Sequence, residues 1–180
     1  MKSKSQGILL LILVGVAVWP WSCRAQGSDT LSSVEEDVYA LVIRSQMEQW
    51  IADGDKSIAE AKDAREKAIA RQLNFQVFFV SVNGRDPSDS FMHRFADLPR
   101  IVKKYSSEVP EKGPHVPKDK ETGQTGIVFN AKDLHWRNKD LAELQGGYYC
   151  GGLCAAGITF TVERKKGKWS IKSSRMNWIS

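Results

Sequence analysis

The chain of 180 residues carries 26 Lys+Arg against 21 Asp+Glu, a formal charge of +5, and is 42% hydrophobic. Three of the basic residues, Lys2, Lys4 and Arg24, fall in an N-terminal leader without acids, so residues 26–180 hold 23 basic and 21 acidic side chains, a net +2. That balance does not support a nucleic-acid partner, and about 155 residues suit one domain with a sizeable core.

Residues 1–25 read as a secretory signal peptide. Lys2 and Lys4 form the positive start, and Gly7 to Trp19 is an apolar run of about 13 residues, short for a membrane span. Pro20 breaks the run. Cys23 and Ala25 stand at the −3 and −1 positions of a cleavage before Gln26, which places the mature protein in the periplasm or the medium. The alternatives are an uncleaved anchor and lipid attachment at Cys23, although Pro20, Trp21 and Ser22 match a lipidation site poorly. No later segment is long and apolar enough to span a bilayer.

The mature chain, residues 26–180, is expected to form a single α+β domain. Ser33 and Glu36 have the spacing of a capping box. After them Val34, Val38, Leu41 and Val42 form one helical stripe and Tyr39, Ile43, Met47 and Trp50 a second. This predicts a helix over about 34–52 that buries more than one face and stops at Asp53-Gly54-Asp55. Strong helix formers over about 56–72 predict a second, solvated helix. Phe75 to Val82 is aromatic and β-branched, as expected of a buried strand. Asn83-Gly84 turns the chain, and Asp86-Pro87 starts a short helix docked by Phe91, Phe95 and Met92. Val109 to Thr125, with three prolines, is a long surface loop.

From Gly126 the pattern predicts an antiparallel meander with strands at 126–130, 133–137, 141–150, 154–164 and 168–178. A three-residue turn at 151–153 sets Cys150 opposite Cys154, Tyr148 opposite Ala156, Gly146 opposite Ile158, Leu144 opposite Phe160 and Ala142 opposite Val162. Alternation then sorts most apolar residues onto one face, with Leu141 and Tyr149 the main exceptions, and Glu143, Gln145, Thr159, Thr161 and Glu163 onto the other. A Lys166-Gly167 turn sets Val162 opposite Ile171 and Arg164 opposite Trp169, and brings Trp169 and Ile171 to the core side. Opposed strand residues lie within disulfide reach, and these two cysteines remain after cleavage in an oxidising compartment. A Cys150–Cys154 disulfide is therefore expected. With His93, His115 and His135 scattered, no zinc set is expected.

The segments VSVNGRDPSDSFMHRF (80–95), DKETGQTGIVF (119–129) and QGGYYCGGLCAAGITFTVERKKGKWSI, followed by MNWIS, occur in order along residues 75–180. Together they resemble a family of small exported bacterial proteins of uncharacterised function, with a C-terminal GGYYxGGLxAxG…GKW…WIS pattern. The resemblance implies export and carries over no activity, ligand or cofactor. Against it, residues 56–72 read as an insertion, and the two cysteines as an added staple.

Three residues stand out as ligand-binding candidates: Tyr149, His135 and Asp86. Tyr149 alternates with a core-facing Tyr148. His135 lies near Asp133, Asp140 and Glu143. Asp86 sits with Asp89 beside Asn83, although helix capping explains both carboxylates more simply. The basic run Arg164, Lys165, Lys166 and Lys168 reads as a solvated turn. No catalytic, phosphate-binding or dinucleotide motif is present, and no cofactor is expected. The leading expectation is a non-enzymatic module that binds a small molecule or a protein. The alternatives are an enzyme using a pocket between the helix and a roll-type sheet, and a structural role. A cone-like α+β roll is the architecture expected by analogy. N-terminal sequencing of the exported protein is expected to begin at Gln26; a mass retaining residues 1–25 would identify an anchor.

Overall fold

The computed structural model describes residues 31–180. The leader, its cleavage point before Gln26 and Cys23 lie outside the described residues. The fold is α+β. Helices α1 (Ser33–Glu60), α2 (Ala64–Leu73) and α3 (Asp89–Met92, continued by a 3-10 turn to Phe95) accompany six strands: β1 Val77–Val82, β2 Ile101–Lys104, β3 Gly126–Asn138, β4 Leu141–Gly151, β5 Cys154–Lys165 and β6 Lys168–Ile179. They form one open sheet in the order β2-β1-β3-β4-β5-β6. From β3 to β6 the sheet is an antiparallel meander, whereas β1 runs parallel to both β2 and β3. No described helix is long and apolar enough to cross a membrane.

Helix α1 is capped one residue earlier than expected. The Glu35 amide donates to Ser32 Oγ (3.3 Å), and the Ser32 amide donates to the Glu35 carboxylate (2.8 Å), a reciprocal capping box. Glu36 is thereby free to meet Arg94 and the Ser88 hydroxyl. The two predicted stripes merge into one broad face, on which Val38, Tyr39, Val42, Ile43 and Met47 are buried. This face packs on β1, β3, β4 and β6.

The helix also continues through Asp53-Gly54-Asp55 to Glu60. Tertiary contact overrides the cost of about 1 kcal/mol for an interior glycine. A Cβ at Gly54 would lie 2.8 Å from the Asn74 side chain, so the end of α2 closes onto a position only glycine leaves open. Asp55 is held by Asn74 and Arg100. Helix α2 starts accordingly late, capped by Asp63, whose carboxylate accepts from the Glu66 amide (2.8 Å). It buries no residue, as its thin apolar content predicts.

Strand β1 is buried along its whole length. Phe78, Val80 and Val82 join Ile127, Phe129, Ala131, Leu144 and Phe160 in the main core under α1, on what we call the inner face. Val77, Phe79 and Val128 form a smaller cluster with Tyr149 on the outer face. Two-sided burial is the usual condition of parallel strands, and it explains the uninterrupted apolar run. The segments expected as separate strands at 126–130 and 133–137 are one strand, β3. It is interrupted by a register shift between Lys132 and His135, with Asp133 in the left-handed region (φ 54°).

In the β4–β5 hairpin, Ala142, Leu144, Gly146 and Tyr148 face Val162, Phe160, Ile158 and Ala156, as the alternation predicts. The tip differs. Gly151 pairs with Cys154 and the turn is Gly152-Leu153, because Gly151 takes φ 148° and Cys150 slips into a bulge. The cysteines still reach one another: Cys150 and Cys154 form a disulfide across a Cα separation of 5.1 Å.

Val162–Ile171 and Arg164–Trp169 also pair as expected. Trp169, however, is only partly buried and stacks at a tilt on exposed Trp136 (5.5 Å between ring centroids) rather than filling the core. Phe129, with no exposed surface and an edge contact to Phe78 at 5.0 Å, is one of the fully buried aromatics of the core. Phe129→Ala is expected to cost about 3–5 kcal/mol, and Trp169→Ala less, because part of its side chain keeps contact with water in the folded state. Urea unfolding checks both, and equal losses would place Trp169 in the core.

Candidate functional site

The helical spacing of Gln46, Gln49, Trp50 and Asp53 puts their side chains on one side of α1. Across from them, alternation turns Tyr148 of β4 and Ile158 and Phe160 of β5 toward the helix, and a register shift in β6 at Lys172 brings both Ile171 and Met176 to the same side. Between the two layers lies a cleft of about 420 Å³, completed by Ser45 and Ser174. Its walls are mainly apolar. Trp50 closes one side with an edge contact to Tyr148 (5.0 Å). Gly146 allows the close approach: a Cβ there would come within 2.7 Å of the Phe160 ring and 3.1 Å of Gln46 Nε2.

The polar groups of the cleft are unevenly satisfied. Gln49 donates to Asp53 Oδ1 (2.9 Å). Gln46, only 8% exposed, donates its Nε2 to the Val42 carbonyl (3.3 Å), while its Oε1 has no partner among the described residues. An unpaired buried carbonyl costs about 1–3 kcal/mol. The cleft therefore presents apolar and aromatic surface with the Asp53 carboxylate among its polar groups, and the unpartnered Gln46 Oε1 is closed to solvent beside it. It has no histidine, cysteine or basic residue in its lining.

On the outer face, the Val109–Thr125 loop and the residues just before it act as a strap over β1 and β3. Lys103 Nζ binds the fully buried Asp119 (2.9 Å) and also Glu121 (2.6 Å). These partners, Glu121 first, hold the Lys103 ammonium above its usual range. The Thr122 hydroxyl and then Lys103 hold the Asp119 carboxyl below its own. The His115 amide donates to the Tyr149 hydroxyl (2.9 Å). The His115 ring places Nδ1 against the Gly113 carbonyl (2.9 Å) and Nε2 against Glu108 (2.6 Å). Both partners are acceptors, so the arrangement favours the imidazolium. The Gly113 carbonyl, then Glu108, push the His115 pKa up.

The three residues singled out from the sequence do not come together. Tyr149 lies under the strap on the outer face. His135 is exposed and pairs with Glu143, about 20 Å along β3 from the level of Tyr149. Asp86 accepts from the Ser106 amide (2.8 Å) at the turn after β1, and Asp89 is paired with Lys104 (2.7 Å). None of them lines the cleft under α1. Asn83 accepts instead from the Tyr39 hydroxyl (3.2 Å) and the Asp133 amide (3.3 Å), which ties α1 to the irregularity in β3. Of the cleft residues, Trp50 was readable on the second helical stripe and Tyr148, Ile158, Phe160 and Ile171 at inward strand positions, whereas Gln46, Gln49, Asp53 and Met176 belonged to neither pattern. Taken singly, those positions signal only core, so nothing in the sequence marked Gln46. Among the described residues, no group of three or more His, Cys, Asp or Glu side chains is arranged to hold a metal.

Compared with protein-family models, curated proteins and solved structures, the chain shows no match in any of the three.

The His115 contacts have a pH signature. A pKa raised on folding contributes stability that is fully present below the ordinary histidine value of about 6.5 and is lost as pH rises through the folded value. An NMR titration of the His115 ring is expected to show a midpoint above about 6.5. Glu108→Gln is expected to lower that midpoint and flatten the fall in unfolding free energy with pH; an unchanged midpoint in Glu108→Gln would remove Glu108 as a cause.

Proposed function

We propose that this is an exported, non-enzymatic binding module whose ligand is a compact small molecule held between α1 and the inner face of β4, β5 and β6. The observation that carries this reading is the unpaired, buried Oε1 of Gln46 in an apolar cleft of about 420 Å³. Pockets of that size, apolar with a few convergent polar groups, are the usual form of a small-molecule site. A buried acceptor calls for a ligand donor, so the ligand class is an apolar or aromatic body bearing an N–H or O–H group. Asp53 adds a second acceptor, which suits a cationic donor as well as a neutral one. Export is supported by the leader of residues 1–25, by the hairpin disulfide and by the resemblance to small exported bacterial proteins.

Native mass spectrometry of the protein recovered from its own compartment is expected to show a retained small molecule. Gln46→Leu removes the unpaired carbonyl at nearly constant volume. It is expected to fold as stably as the parent and to bind the retained molecule about tenfold more weakly, the worth of one hydrogen bond. A wild-type protein that is empty on recovery and gains no thermal stability from donor-bearing aromatic fragments would overturn the reading.

A further inference from the structure

The described residues include a second buried polar atom without a partner, Nε of Arg100. Arg100 precedes β2, and its side chain is only 8% exposed. Nη1 donates to the Pro99 carbonyl (2.7 Å) and Nη2 to Asn74 Oδ1 (2.9 Å). Its counter-charge, Asp55, is 62% exposed and stands 3.4 Å from Nη2. A guanidinium is charged at every accessible pH. Here it is desolvated, weakly compensated and short of one acceptor, a condition that costs more than a neutral orphan.

Arg100 lines a cavity of about 330 Å³ between β2 and the α3 segment. Met92, Phe95, Ala96 and Val102 supply apolar walls, and His93 and Asp89 are its other polar residues. The Asp89 carboxylate is paired with Lys104 Nζ at 2.7 Å, which offsets its repulsion of an anion. No residue of this cavity belongs to the cleft under α1.

We infer that this cavity binds a small monocarboxylate with a compact apolar body, its carboxylate accepting from Arg100 Nε–H and its body against Met92, Phe95 and Val102. A planar oxyanion is the natural partner of a guanidinium edge. Phosphate and sulfate fit less well, because most of their further oxygens would face the apolar walls of Met92, Phe95, Ala96 and Val102. Nε is closed to solvent, so one wall must yield for a ligand to reach it. Met92 is the softest, an unbranched thioether able to change rotamer without moving the backbone. The site stands independently of the proposed cleft ligand.

The test is a titration of the isotopically labelled, full mature protein with benzoate, following the arginine Nε–H resonances by NMR. Arg100→Lys keeps the charge, lacks Nε–H and identifies the Arg100 signal; sequential assignment identifies it if that variant does not fold. Benzoate at millimolar concentration is expected to move this signal saturably, and benzamide, of the same shape without the charge, is expected to leave it in place. Asp89→Asn, which removes a like charge and frees Lys104, is expected to tighten benzoate about threefold, the scale of one exposed charge interaction. The inference is overturned by an Arg100 signal that benzoate does not move, by equal movement with benzamide, by a benzoate effect confined to Trp50 and the α1 cleft, or by Asp89→Asn binding no tighter than the parent.

Discussion

Strand β1 has a parallel neighbour on each edge and a covering layer on each face, and the other elements are arranged to meet those four demands. Phe78, Val80 and Val82 need the inner cover that α1 provides, and Val77 and Phe79 need an outer one. A sheet that faced water on its outer side would leave Phe79 and Val128 exposed. The outer cover is not a second helix layer but the strap, which has no long apolar run and cannot be held by hydrophobic burial alone. It is held by ionic and hydrogen-bonded contacts instead: Lys103 of β2 with Asp119 and Tyr149 of β4 with the His115 amide, while His115 with Glu108 braces the strap internally. The proline-rich composition that marks this segment as a loop reduces the entropy lost when it is pinned.

Legibility in the sequence follows from whether an element's signal is its own or borrowed. The β4–β5 hairpin could be aligned residue by residue because a one-residue slip would turn Leu144, Phe160 and Val162 to the polar side. Its tip was misaligned by one because Cys150 and Cys154 can reach each other across either turn, whereas the positive φ of Gly151 selects the shorter one. Strand β2 could not be seen. Four residues ending in Lys103-Lys104 carry no strand pattern, and their conformation comes from pairing with β1. The extension of α1 past Gly54 is borrowed in the same way, from Asn74 and Arg100.

The sites show the same division. Alternation correctly sent Tyr148 inward and Tyr149 outward, but the outward tyrosine drew attention as a surface-binding residue when its hydroxyl is committed to the His115 amide. Asp86 drew attention as a carboxylate beside Asp89 and Asn83, with helix capping as the simpler reading; it clamps the Ser106 amide, and Ser88 caps α3 instead. The two atoms on which the proposed sites rest, Gln46 Oε1 and Arg100 Nε, belong to residues whose types are ordinary on a helix face and before a strand. What distinguishes them is a missing partner, and that appears only once packing has closed around them. Gln46 has lost its water because Gly146 admits Phe160 and α1 to close range. Arg100 has lost its water because Asn74 and the α3 segment bracket it.

The hairpin disulfide gains a wider role from this arrangement. By itself it closes a very short loop and constrains the unfolded chain little. Its position matters more than its entropy. A Cβ built at Gly152 would lie 3.1 Å from the Pro114 side chain, and one at Gly151 would lie 3.5 Å from Val116. The stapled tip is therefore the surface on which the strap rests, next to the Tyr149 hydroxyl that receives the His115 amide. Fixing Cys150 to Cys154 holds Gly151 and Gly152 in the conformation that leaves room for Pro114, and it keeps Tyr149 in line with His115. The staple, the tyrosine and the imidazolium thus act in series on one segment, and that segment is the outer cover of β1. A local bond at the hairpin tip in this way supports the two-sided burial on which the rest of the fold depends.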